Sequence, residues 1–381
     1  MTKLPLQDLH IGIVGASIAG LLSAQALARQ GARVQLFERS LHLAERGGSG
    51  IMLDAEVAAS IGGLATRTHS LRRVLGSQLQ TLWTRPVRKM ASSWGELYRC
   101  LRTHVDERHI SNGVTVTDCQ ADGTLSFEQG PEQRFDLVIG ADGLGSTVRS
   151  CLGQSFEPSY CGYLAIRGMS EAGEWTAPFA GELLNVYGRS CHGVLYAPAG
   201  SLLNWMCYCN VADPTRLLTD AQGVQHRWSL PPHEMTPDLR RQLVELVSPR
   251  MPAAFVELVK QTPGIYLQAI YYGMPETFVR GRVALVGDAA HVSPPHLGAA
   301  TSLAYADVDS LARALSQGES LQSWGEKRHL AVRAELDIAY RLGQELQNHP
   351  HDWDDWDAGR FEAWWQEITG GRQLYFETRK V

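Results

Sequence analysis

Apolar residues in the first forty positions follow two different periods. The run His10–Val14 is short and apolar and is closed by a glycine, which predicts a buried strand. Over residues 18–30 leucine and alanine recur at helical spacing, and a glycine ends that helix. Residues 33–38 then alternate as a second strand that closes on an acid. The pattern predicts a βαβ unit of the length that nucleotide-binding folds use.

Later apolar runs extend this pattern. Residues 135–139 form a strand-like run before Asp142-Gly143, and residues 281–286 form another before Gly287-Asp288. An alanine-rich helix is predicted from about residue 299 to 315, and helical spacing continues to 346. Residues 155–275 are rich in aromatic and branched side chains at strand spacing. The order of elements predicts an α/β protein with a separate, mostly β region.

Composition narrows the class of protein. A chain of 381 residues suits about two domains, and 44% apolar with 20% charged residues is typical of a globular protein. A net charge of −5 gives no basic field for nucleic acid and no polybasic membrane patch. No apolar run approaches the roughly 20 residues that span a bilayer, and the first ten residues are too polar for a signal peptide. Seven scattered cysteines without a Cys-x-x-Cys motif indicate neither a disulfide framework nor a zinc site, so we expect a cytoplasmic protein.

The first βαβ unit carries a candidate nucleotide site. Gly15 permits a tight turn into the helix, and Gly20 permits close packing of helix on strand. Free N–H groups at the helix start attract a pyrophosphate, and Glu38 can accept both ribose hydroxyls of adenosine. Ser17 replaces the second glycine of the usual Gly-x-Gly-x-x-Gly pattern. The alternative is a glycine-rich turn that binds nothing.

Two motifs follow later in the chain. Alone, the run up to Arg149 would be an ordinary strand, turn and helix, with Ser146 as the cap and Asp142 in the turn. The second run, Gly287-Asp-Ala-Ala-His-Val-Ser-Pro-Pro295, continues into His296-Leu-Gly298. Together with the first motif, in this order and at this spacing, the chain resembles the single-component (class A) FAD-dependent aromatic monooxygenases, of para-hydroxybenzoate hydroxylase-like fold.

A narrower resemblance is to the 2,6-dihydroxypyridine 3-hydroxylase branch of that family. A serine at the position of Ser17, the run Gly47-Gly-Ser-Gly-Ile51 and the run Gly162-Tyr-Leu-Ala-Ile-Arg-Gly168 are similar to that branch. The resemblance implies a Rossmann-like FAD-binding domain of the glutathione-reductase type, interleaved with a mostly β-sheet substrate domain and followed by a C-terminal helical region. We expect residues 1–155 and 276–345 to form the first, 156–275 the second and 346–381 the last.

The resemblance also implies which residues meet FAD. Glu38 and the first motif would hold the ADP half, Asp288 the ribityl chain, and the loop from Pro295 the flavin ring, while Asp142-Gly143 would serve the approach of NADH or NADPH. The full set is Gly15, Ser17, Ile18, Ala19, Gly20, Glu38, Arg39, Gly50, Ile51, Arg102, Asp142, Gly143, Gly287, Asp288, Pro295, Gly298, Ala299 and Ala300. Gly48, Gly50 and Ile51 resemble a loop that lets the ring move.

Two departures from the family pattern concern the same cofactor. An arginine that often binds the FAD phosphate near the position of Trp94 is missing, and only Arg99 and Arg102 are close. The loop after Gly287-Asp288, often Gly-x-Gly-x-Asn in the family, is here Gly298-Ala-Ala-Thr-Ser302. Backbone N–H groups would still reach the flavin, because the peptide rather than the side chain donates.

The implied reaction is hydroxylation of an electron-rich aromatic or N-heteroaromatic ring with NAD(P)H and O₂, through a hydroperoxide of the flavin. A general base with a pKa near neutrality would help by ionising a ring hydroxyl. His296, after Pro295, is the candidate for that base, and the alternative is a helix-start histidine that bonds the backbone. His291 is the more structural of the two. Candidates for the substrate pocket are Met52, Arg167, Tyr196, Trp205 and His296, each with core packing as the alternative.

The tail from residue 346 leaves several interpretations open. His349-Pro-His351-Asp suggests a metal ligand set that nothing else in the chain supports, so no metal is expected. An apolar helical stripe of Trp353, Trp356, Phe361, Trp364 and Trp365 would dock on the body of the protein, or form a homodimer contact. For the whole chain, the alternatives to a hydroxylase are an epoxidase or rearrangement enzyme of natural-product synthesis, and a non-catalytic binding module.

Overall fold

The computed structural model describes residues 6–43, 49–153, 156–349 and 351–370. The strands are β1 (His10–Val14), β2 (Arg33–Glu38), β3 (Gly50–Asp54), β4 (Arg67–Leu75), β5 (Thr81–Ser93), β6 (Ile110–Asn112), β7 (Val116–Cys119), β8 (Thr124–Phe127), β9 (Gln133–Arg134), β10 (Leu137–Gly140), β11 (Ser159–Glu171), β12 (Glu182–Gly188), β13 (Cys191–Tyr196), β14 (Leu202–Asn210), β15 (Ser229–Leu230), β16 (Tyr266–Tyr272), β17 (Val279–Arg280) and β18 (Val283–Leu285). The helices are α1 (Ile18–Ala28), α2 (Ala55–Ser60), α3 (Trp94–Arg102), α4 (Thr147–Cys151), α5 (Pro237–Val247), α6 (Ala253–Gln261), α7 (Ala300–Ser316), α8 (Leu321–Gln347) and α9 (Ala358–Thr369).

The first sheet brings the three sequence motifs to one edge. Its strand order is β17-β18-β10-β1-β2-β6, and β2, β1, β10 and β18 run parallel. Each of the central strands ends just before a motif, so the carboxyl ends of β1, β10 and β18 carry all three motifs side by side. Ligands of open α/β sheets bind at that edge. The predicted α/β fold class is therefore confirmed.

The second sheet is larger and mostly antiparallel. Its order is β15-β16-β11-β14-β13-β12-β4-β5-β3, with β12 and β4 the parallel pair. Helices α5 and α6 cover one face with an apolar core that includes Trp205, Phe255 and Val259. That core also encloses the thiols of Cys191, Cys207 and Cys209, whose sulfur atoms lie within 3.8 Å of one another. The opposite face packs against C-terminal helix α8, where Gln347 bonds His192 and Asn210.

The sheet topology differs from the expected domain boundaries in one stretch. The sequence assigned residues 1–155 to the cofactor domain, but β3, β4 and β5 belong to the large sheet. Residues Leu71 and Glu182, which are far apart in the chain, are partners in the β4–β12 pair. Alternating strands of either domain look alike in a sequence, and only this long-range pairing decides which sheet they join.

The C-terminal helices dock on the body of the molecule. Trp353, Phe361 and Trp365 are buried against Trp83 of β5, and the rings of Trp83 and Phe361 stack at 6.1 Å. This packing confirms the docking interpretation of the aromatic stripe. His349 and His351 both bond the carboxylate of Glu345, at 2.8 Å each. Within the described ranges, no helix is long and apolar enough to cross a membrane.

Candidate functional site

The turn between β1 and α1 needs its two glycines. Gly15 has a φ of +96°, and a Cβ there would lie 2.5 Å from the carbonyl oxygen of Ala141. A Cβ on Gly20 would collide with the carbonyl oxygen of Gly15. Ser17 occupies the N-cap position of α1, but its side chain makes no capping bond. The first N–H groups of α1, which include those of Ile18 and Ala19, therefore have no side-chain cap.

Glu38 lies beside that helix start. Its Oε2 accepts a hydrogen bond from the backbone N–H of Ala16 at 3.0 Å, and its Oε1 accepts one from Ser40 at 2.8 Å. These two bonds fix a buried carboxylate at the end of β2, next to the turn. Arg39 follows it and is exposed. The position is the one expected for a ribose acceptor.

Arg102 supplies a cation at the same edge. Its Nη2 donates to Glu107 at 2.5 Å, while its Nη1 is buried and has no hydrogen-bond partner among the described residues. Tyr98 lies between Arg102 and Glu38, close enough for both charges to act on the pKa of its phenol, which burial raises. Arg99 instead points outward and pairs with Glu96. Of the two arginines, Arg102 is the one with an unsatisfied N–H near the motif.

The two later motifs are joined by Arg149. Its guanidinium donates to the carbonyl oxygens of Leu144 (2.5 Å), Asp288 (3.3 Å) and Ala289 (2.9 Å). Gly287 has a φ of +59°, and a Cβ there would lie 3.0 Å from the Cβ of Ala19. The Gly-Asp turn thus packs directly against the first turn of α1.

Asp142 is engaged inside its own loop. One carboxylate oxygen accepts from the Ser146 hydroxyl at 2.5 Å and the other from the N–H of Val148 at 3.1 Å. Ser146 in turn caps α4 by accepting from Arg149. Asp142 therefore lies in the turn and Ser146 caps the helix, as in an ordinary strand, turn and helix. Gly143 beside it has a φ of +80° and open space around its Cα.

Asp288 has an exposed side chain at the carboxyl end of β18. Water reaches the side chain, yet protein atoms surround it closely enough that desolvation raises its pKa. Its backbone carbonyl is held by Arg149. The carboxylate itself stays available to a ligand.

A second uncapped helix start faces the same region. Pro295–Leu297 form a short 3₁₀ turn, Gly298 takes the left-handed conformation with a φ of +59°, and α7 then begins at Ala300. Ala299, at the N-cap position, offers no side-chain acceptor. The loop touches β3, because a Cβ on Gly298 would lie 3.5 Å from the Cβ of Met52. A 17-residue helix directs its positive end here.

A buried ionic network holds α7 in place. Asp307 accepts from the N–H of Gly287 and from His291 Nε2, both at 2.8 Å, and from Arg328 Nε at 2.5 Å. All the side chains involved are buried. His291 and Arg328 keep the pKa of Asp307 low against the opposing effect of burial. His291 thus has a structural role through its hydrogen bond to Asp307, as the sequence analysis predicted.

His296 lies against the large sheet. Its Nε2 is 2.7 Å from the hydroxyl of Tyr163, and its ring packs on those of Tyr208 and His192, each with centroids 5.1 Å away. Its Nδ1 is buried and has no partner among the described residues. Burial lowers the pKa of His296 to about 3. The imidazole is therefore neutral at physiological pH, which differs from the expected base with a pKa near neutrality.

One face of the large sheet forms the wall around this histidine. Tyr163 and Arg167 of β11, Tyr208 of β14, Tyr196 of β13 and Met52 of β3 all lie on that face. Trp205 does not share it. Its ring lies in the core under α5 and α6, where Nε1 donates to Thr262 at 2.9 Å. Since positions 205 and 208 of β14 point to opposite faces, Trp205 and Tyr208 cannot both lie on the face that meets His296.

The segment before β3 is tied to the same face. The N–H of Gly50 donates to Asn204 Oδ1 at 2.8 Å, and Arg167 Nη2 donates to the Ser49 hydroxyl at 2.7 Å. A Cβ on Gly50 would overlap Asn204 and Tyr196, so glycine is needed for this close approach. Ile51 follows, half-buried. Gly48, of the expected mobile loop, lies outside the described residues, as does Gly47 before it.

The residues present fit FAD. Two helices, α1 and α7, begin without side-chain caps, which leaves N–H donors for phosphate and for an anionic ring. Arg102 has an unsatisfied buried N–H, which suits a phosphate oxygen. Glu38 and Asp288 offer carboxylates for sugar hydroxyls along the same edge. The changed loop residues do not affect this fit, because the donors are peptide groups.

Several residues around His296 were not among the sequence candidates. Tyr163, Tyr208 and His192 wall it, and Gln347 of α8 donates to His192 at 2.5 Å. The alternation along β11 and β14 predicts which residues share a face. It does not say which face meets the cofactor, because both faces of these strands are buried. Arg149 was recognised as part of its motif, but its bonds to both loops required the structure.

Comparisons with known families agree with this arrangement. A family model described as an NAD(P)-binding Rossmann-like domain matches residues 13–51, which span the first motif. A second, described as FAD binding domain-like, matches residues 160–271 of the large sheet.

Individual proteins resemble nearly the whole chain. The 2,6-dihydroxypyridine 3-monooxygenase of Paenarthrobacter nicotinovorans is 28% identical over 372 residues, covering 89% of this chain and 92% of that protein. Aurachin C monooxygenase/isomerase of Stigmatella aurantiaca is 27% identical, covering 88% and 89%. The solved 2,6-dihydroxypyridine-3-hydroxylase of Arthrobacter nicotinovorans superposes with a TM-score of 0.82 at 24% identity, covering 89% and 93%. HpxO of Klebsiella pneumoniae, solved in complex with FAD and uric acid, superposes with a TM-score of 0.73 at 21% sequence identity. The match covers 97% of this chain and 95% of that one.

Proposed function

The chain belongs to the FAD-dependent aromatic monooxygenases, and from that premise we propose that it hydroxylates a small phenol-like or hydroxypyridine-like ring with NAD(P)H and O₂. One relative is named for 2,6-dihydroxypyridine, and one structural neighbour holds uric acid. Both compounds are N-heteroaromatic rings that carry oxygen. These similarities support hydroxylation more than the epoxidase or rearrangement alternative.

The cofactor is FAD, and NADH or NADPH is the reductant. Bound FAD supplies the reduction by NAD(P)H and the activation of O₂, while the protein provides position and electrostatics. We propose that Arg102 and the start of α1 hold the phosphates, that Glu38 accepts from the ribose, and that Asp288 accepts from the ribityl hydroxyls. The start of α7 would stabilise negative charge on the ring, because the positive end of its dipole lies there.

The main structural support for the proposed reaction is the environment of His296. Its Nδ1, for which no described residue is a hydrogen-bond partner, lies in an aromatic wall beside the loop that precedes α7. Tyr163 holds the other ring nitrogen, so the ring is oriented. With a pKa of about 3, the imidazole of His296 is a weak base. It can still form a hydrogen bond with a hydroxyl of the substrate ring while it is uncharged. We therefore propose that His296 orients the substrate rather than removing its proton.

The aromatic wall has a second role in this proposal. Tyr163, Tyr196 and Tyr208 are at most 4% exposed and pack with Met206 and Met52 in one apolar cluster. Such a lining excludes water from the reaction space, and water exclusion limits the wasteful release of H₂O₂. Flat aromatic side chains also suit a planar substrate.

The test is a substrate screen with the FAD-loaded protein. Substituted phenols, hydroxypyridines and hydroxyquinolines are added with NADH or NADPH, and oxidation of the reductant and product mass are followed. A true substrate is expected to speed oxidation about 10-fold or more and to gain the mass of one oxygen atom. The background rate without an aromatic compound is the control. Oxidation with no oxygenated product across the panel would contradict hydroxylation.

Assembly and location are finer proposals. We propose a homodimer working in the cytoplasm, since the free thiols of all seven cysteines suit a reducing compartment. Sedimentation of the purified protein at several concentrations tests the dimer, and a single species of monomer mass would contradict it.

A further inference from the structure

Three cysteine thiols meet in the core under α5 and α6. The sulfur atoms of Cys191 and Cys209 are 3.2 Å apart, those of Cys191 and Cys207 are 3.4 Å apart, and those of Cys207 and Cys209 are 3.8 Å apart. All three thiols are free and fully buried. Of the part of the chain that the structure describes, this is the only place where three or more histidine, cysteine or carboxylate side chains converge closely enough to hold one metal ion. We call these three residues the thiol cluster.

The convergence of the thiol cluster is a property of its side chains. Cys207 and Cys209 lie on one face of β14, two residues apart, so their Cβ atoms are about 6.7 Å apart along the strand. Their sulfur atoms are nevertheless only 3.8 Å apart. Cys191 of β13 is the cross-strand partner of Cys209 and supplies the third sulfur from the same face. The three side chains therefore turn toward one point, as the ligands of a common atom do.

The triangle of sulfur atoms has the size of a thiolate metal site. A point equidistant from the three atoms lies about 2.0 Å from each, and a metal–thiolate bond is about 2.3 Å long. An ion about 1 Å above the sulfur plane would therefore reach all three atoms with bonds of ordinary length. Since thiolates are ligands of soft metal ions, the cluster matches such an ion in both chemistry and dimensions.

Met251 adds a fourth soft sulfur atom to the same patch of the sheet. A Cβ on Gly188 would lie 3.2 Å from the Met251 sulfur, and a Cβ on Gly193 would lie 3.2 Å from the Met251 methyl carbon. These glycines are the cross-strand partners of Cys191 and Cys207, so Met251 covers the same face beside the thiols. Thiolate and thioether ligands select Cu(I), whereas Zn²⁺ prefers four ligands among thiolate, imidazole and carboxylate. No histidine or carboxylate of the described residues joins the group, which favours Cu(I).

Charge within the thiol cluster also suits a cation. Hydrogen bonds from Cys191 and Cys207 lower the pKa of the Cys209 thiol, and the positive charge of Arg250 acts in the same direction. Burial raises the pKa of the Cys207 thiol. Cys209 is therefore the sulfur of the cluster that loses its proton most readily. The nearby guanidinium of Arg250 would offset the negative charge that a second thiolate brings.

We propose that Cys191, Cys207 and Cys209 bind one Cu(I) ion as a structural site in the core of the large sheet. Each thiol that becomes a ligand passes its proton to the solvent, and no electron is transferred. The site lies on the face of β14 opposite to Tyr208, which contacts His296. It is therefore separate from the region around His296 and does not depend on the proposed hydroxylase function.

Competition for copper tests the proposal on the FAD-loaded protein. Under argon and with a phosphine reductant, the protein is incubated with Cu(I) bound to bicinchoninate, whose absorbance falls as copper leaves it, until the absorbance is constant. Cys207→Ala and Cys209→Ala each remove one ligand, while Cys119→Ala removes a buried thiol from another core and is the control. X-ray absorption at the copper edge counts the ligand atoms. FAD content and the thermal midpoint are measured for each protein.

We expect the wild type to take up one equivalent of Cu(I), with three sulfur neighbours at about 2.3 Å. Each cluster variant should lower the apparent affinity for Cu(I) by about 100-fold or more, because one of three ligands is lost. Cys119→Ala should stay within about 3-fold of the wild type, since it is remote from the cluster.

Copper uptake by the wild type and its ligand count do not require any variant to fold. The proposal is overturned by a wild type that leaves copper on the chelator, or by bound copper with mainly nitrogen and oxygen neighbours. It is equally overturned by cluster variants that keep wild-type affinity, because copper then binds at an exposed thiol or histidine, and by an equal loss of affinity in Cys119→Ala. None of these outcomes bears on hydroxylation, so the two proposals are tested separately.

Discussion

His296 illustrates how burial decides the chemistry of a single residue. An exposed histidine titrates near pH 6.5, but desolvation lowers the pKa of His296 to about 3. His296 of the folded protein therefore takes up a proton only in strong acid. Tyr163 bonds one ring nitrogen, and no residue in the described part of the chain bonds the other. A neutral, oriented imidazole is the consequence, and it suits hydrogen bonding better than proton removal.

The exchange His296→Ala should lower oxygenated product per NAD(P)H consumed by about 10-fold and raise H₂O₂ release, because the substrate loses its orientation. FAD should stay bound. In the wild type, coupling should stay flat between about pH 6 and 8.5, since His296 does not titrate there. Product and peroxide assays across this range give the measurement.

The exposed His233 provides the matched control, and His233→Ala should change neither quantity. A wild-type coupling profile with a step of histidine type near pH 6.5, absent from His296→Ala, would restore the general-base interpretation.

Among the helices and strands, α7 depends most on being held in position, because its uncapped first turn is proposed to meet the flavin. It has no side-chain cap, so its N–H groups are available only while the helix keeps its position. Asp307, two turns along, joins α7 to the Gly-Asp turn through Gly287, and to α8 through Arg328. The same carboxylate bonds His291. One buried acid thus couples the helix start to the strand end beside it.

Replacing Asp307 by Asn should destabilise the protein by about 3–5 kcal/mol, because a buried guanidinium loses its counter-charge. FAD affinity should fall as well, since the Gly-Asp turn loses its anchor. Urea unfolding and flavin titration provide the two measurements. Asp309→Asn on the same helix removes a partly exposed pair with Arg313 and should cost less than about 1 kcal/mol. Equal effects of the two variants would refute the anchoring role.

For the molecule as a whole, the C-terminal helices connect the two sheets. Helix α8 packs beside the pocket, where a Cβ on Gly343 would meet His296 and Tyr163. Helix α9 then returns to β5 and buries Phe361 completely against Trp83 and Trp353. Arg85 and Glu362 form an ion pair across the same contact at 2.7 Å. The tail is part of the core that supports the large sheet.

Truncation of that aromatic core should be costly. Phe361→Ala is expected to lower the free energy of unfolding by about 3–5 kcal/mol, because it opens a cavity among close-packed rings. Thermal or urea unfolding measures the loss. Glu367→Ala lies on the exposed side of α9 and should change stability by less than about 0.5 kcal/mol. A Phe361→Ala protein as stable as the Glu367→Ala control would mean that the tail does not contribute to the fold.

The sequence by itself determined the local features of this protein. Gly15, Gly20 and Glu38 could be predicted because a tight turn, a close helix contact and a strand-end acid each depend on neighbours within the first βαβ unit. Apolar periodicity predicted β1 and β2 to the residue, α1 to within two residues at its end, and α7 to within one. The order of the three motifs was enough for the fold class and the cofactor.

Only the tertiary structure decided the rest, because it depends on contacts between distant parts of the chain. Strands β3, β4 and β5 join the large sheet through the β4–β12 pair, which no local pattern encodes. Trp205 and Tyr208 lie on opposite faces of β14, and since both faces are buried, alternation alone cannot assign them. The low pKa of His296 likewise reflects protein packed around it from several elements.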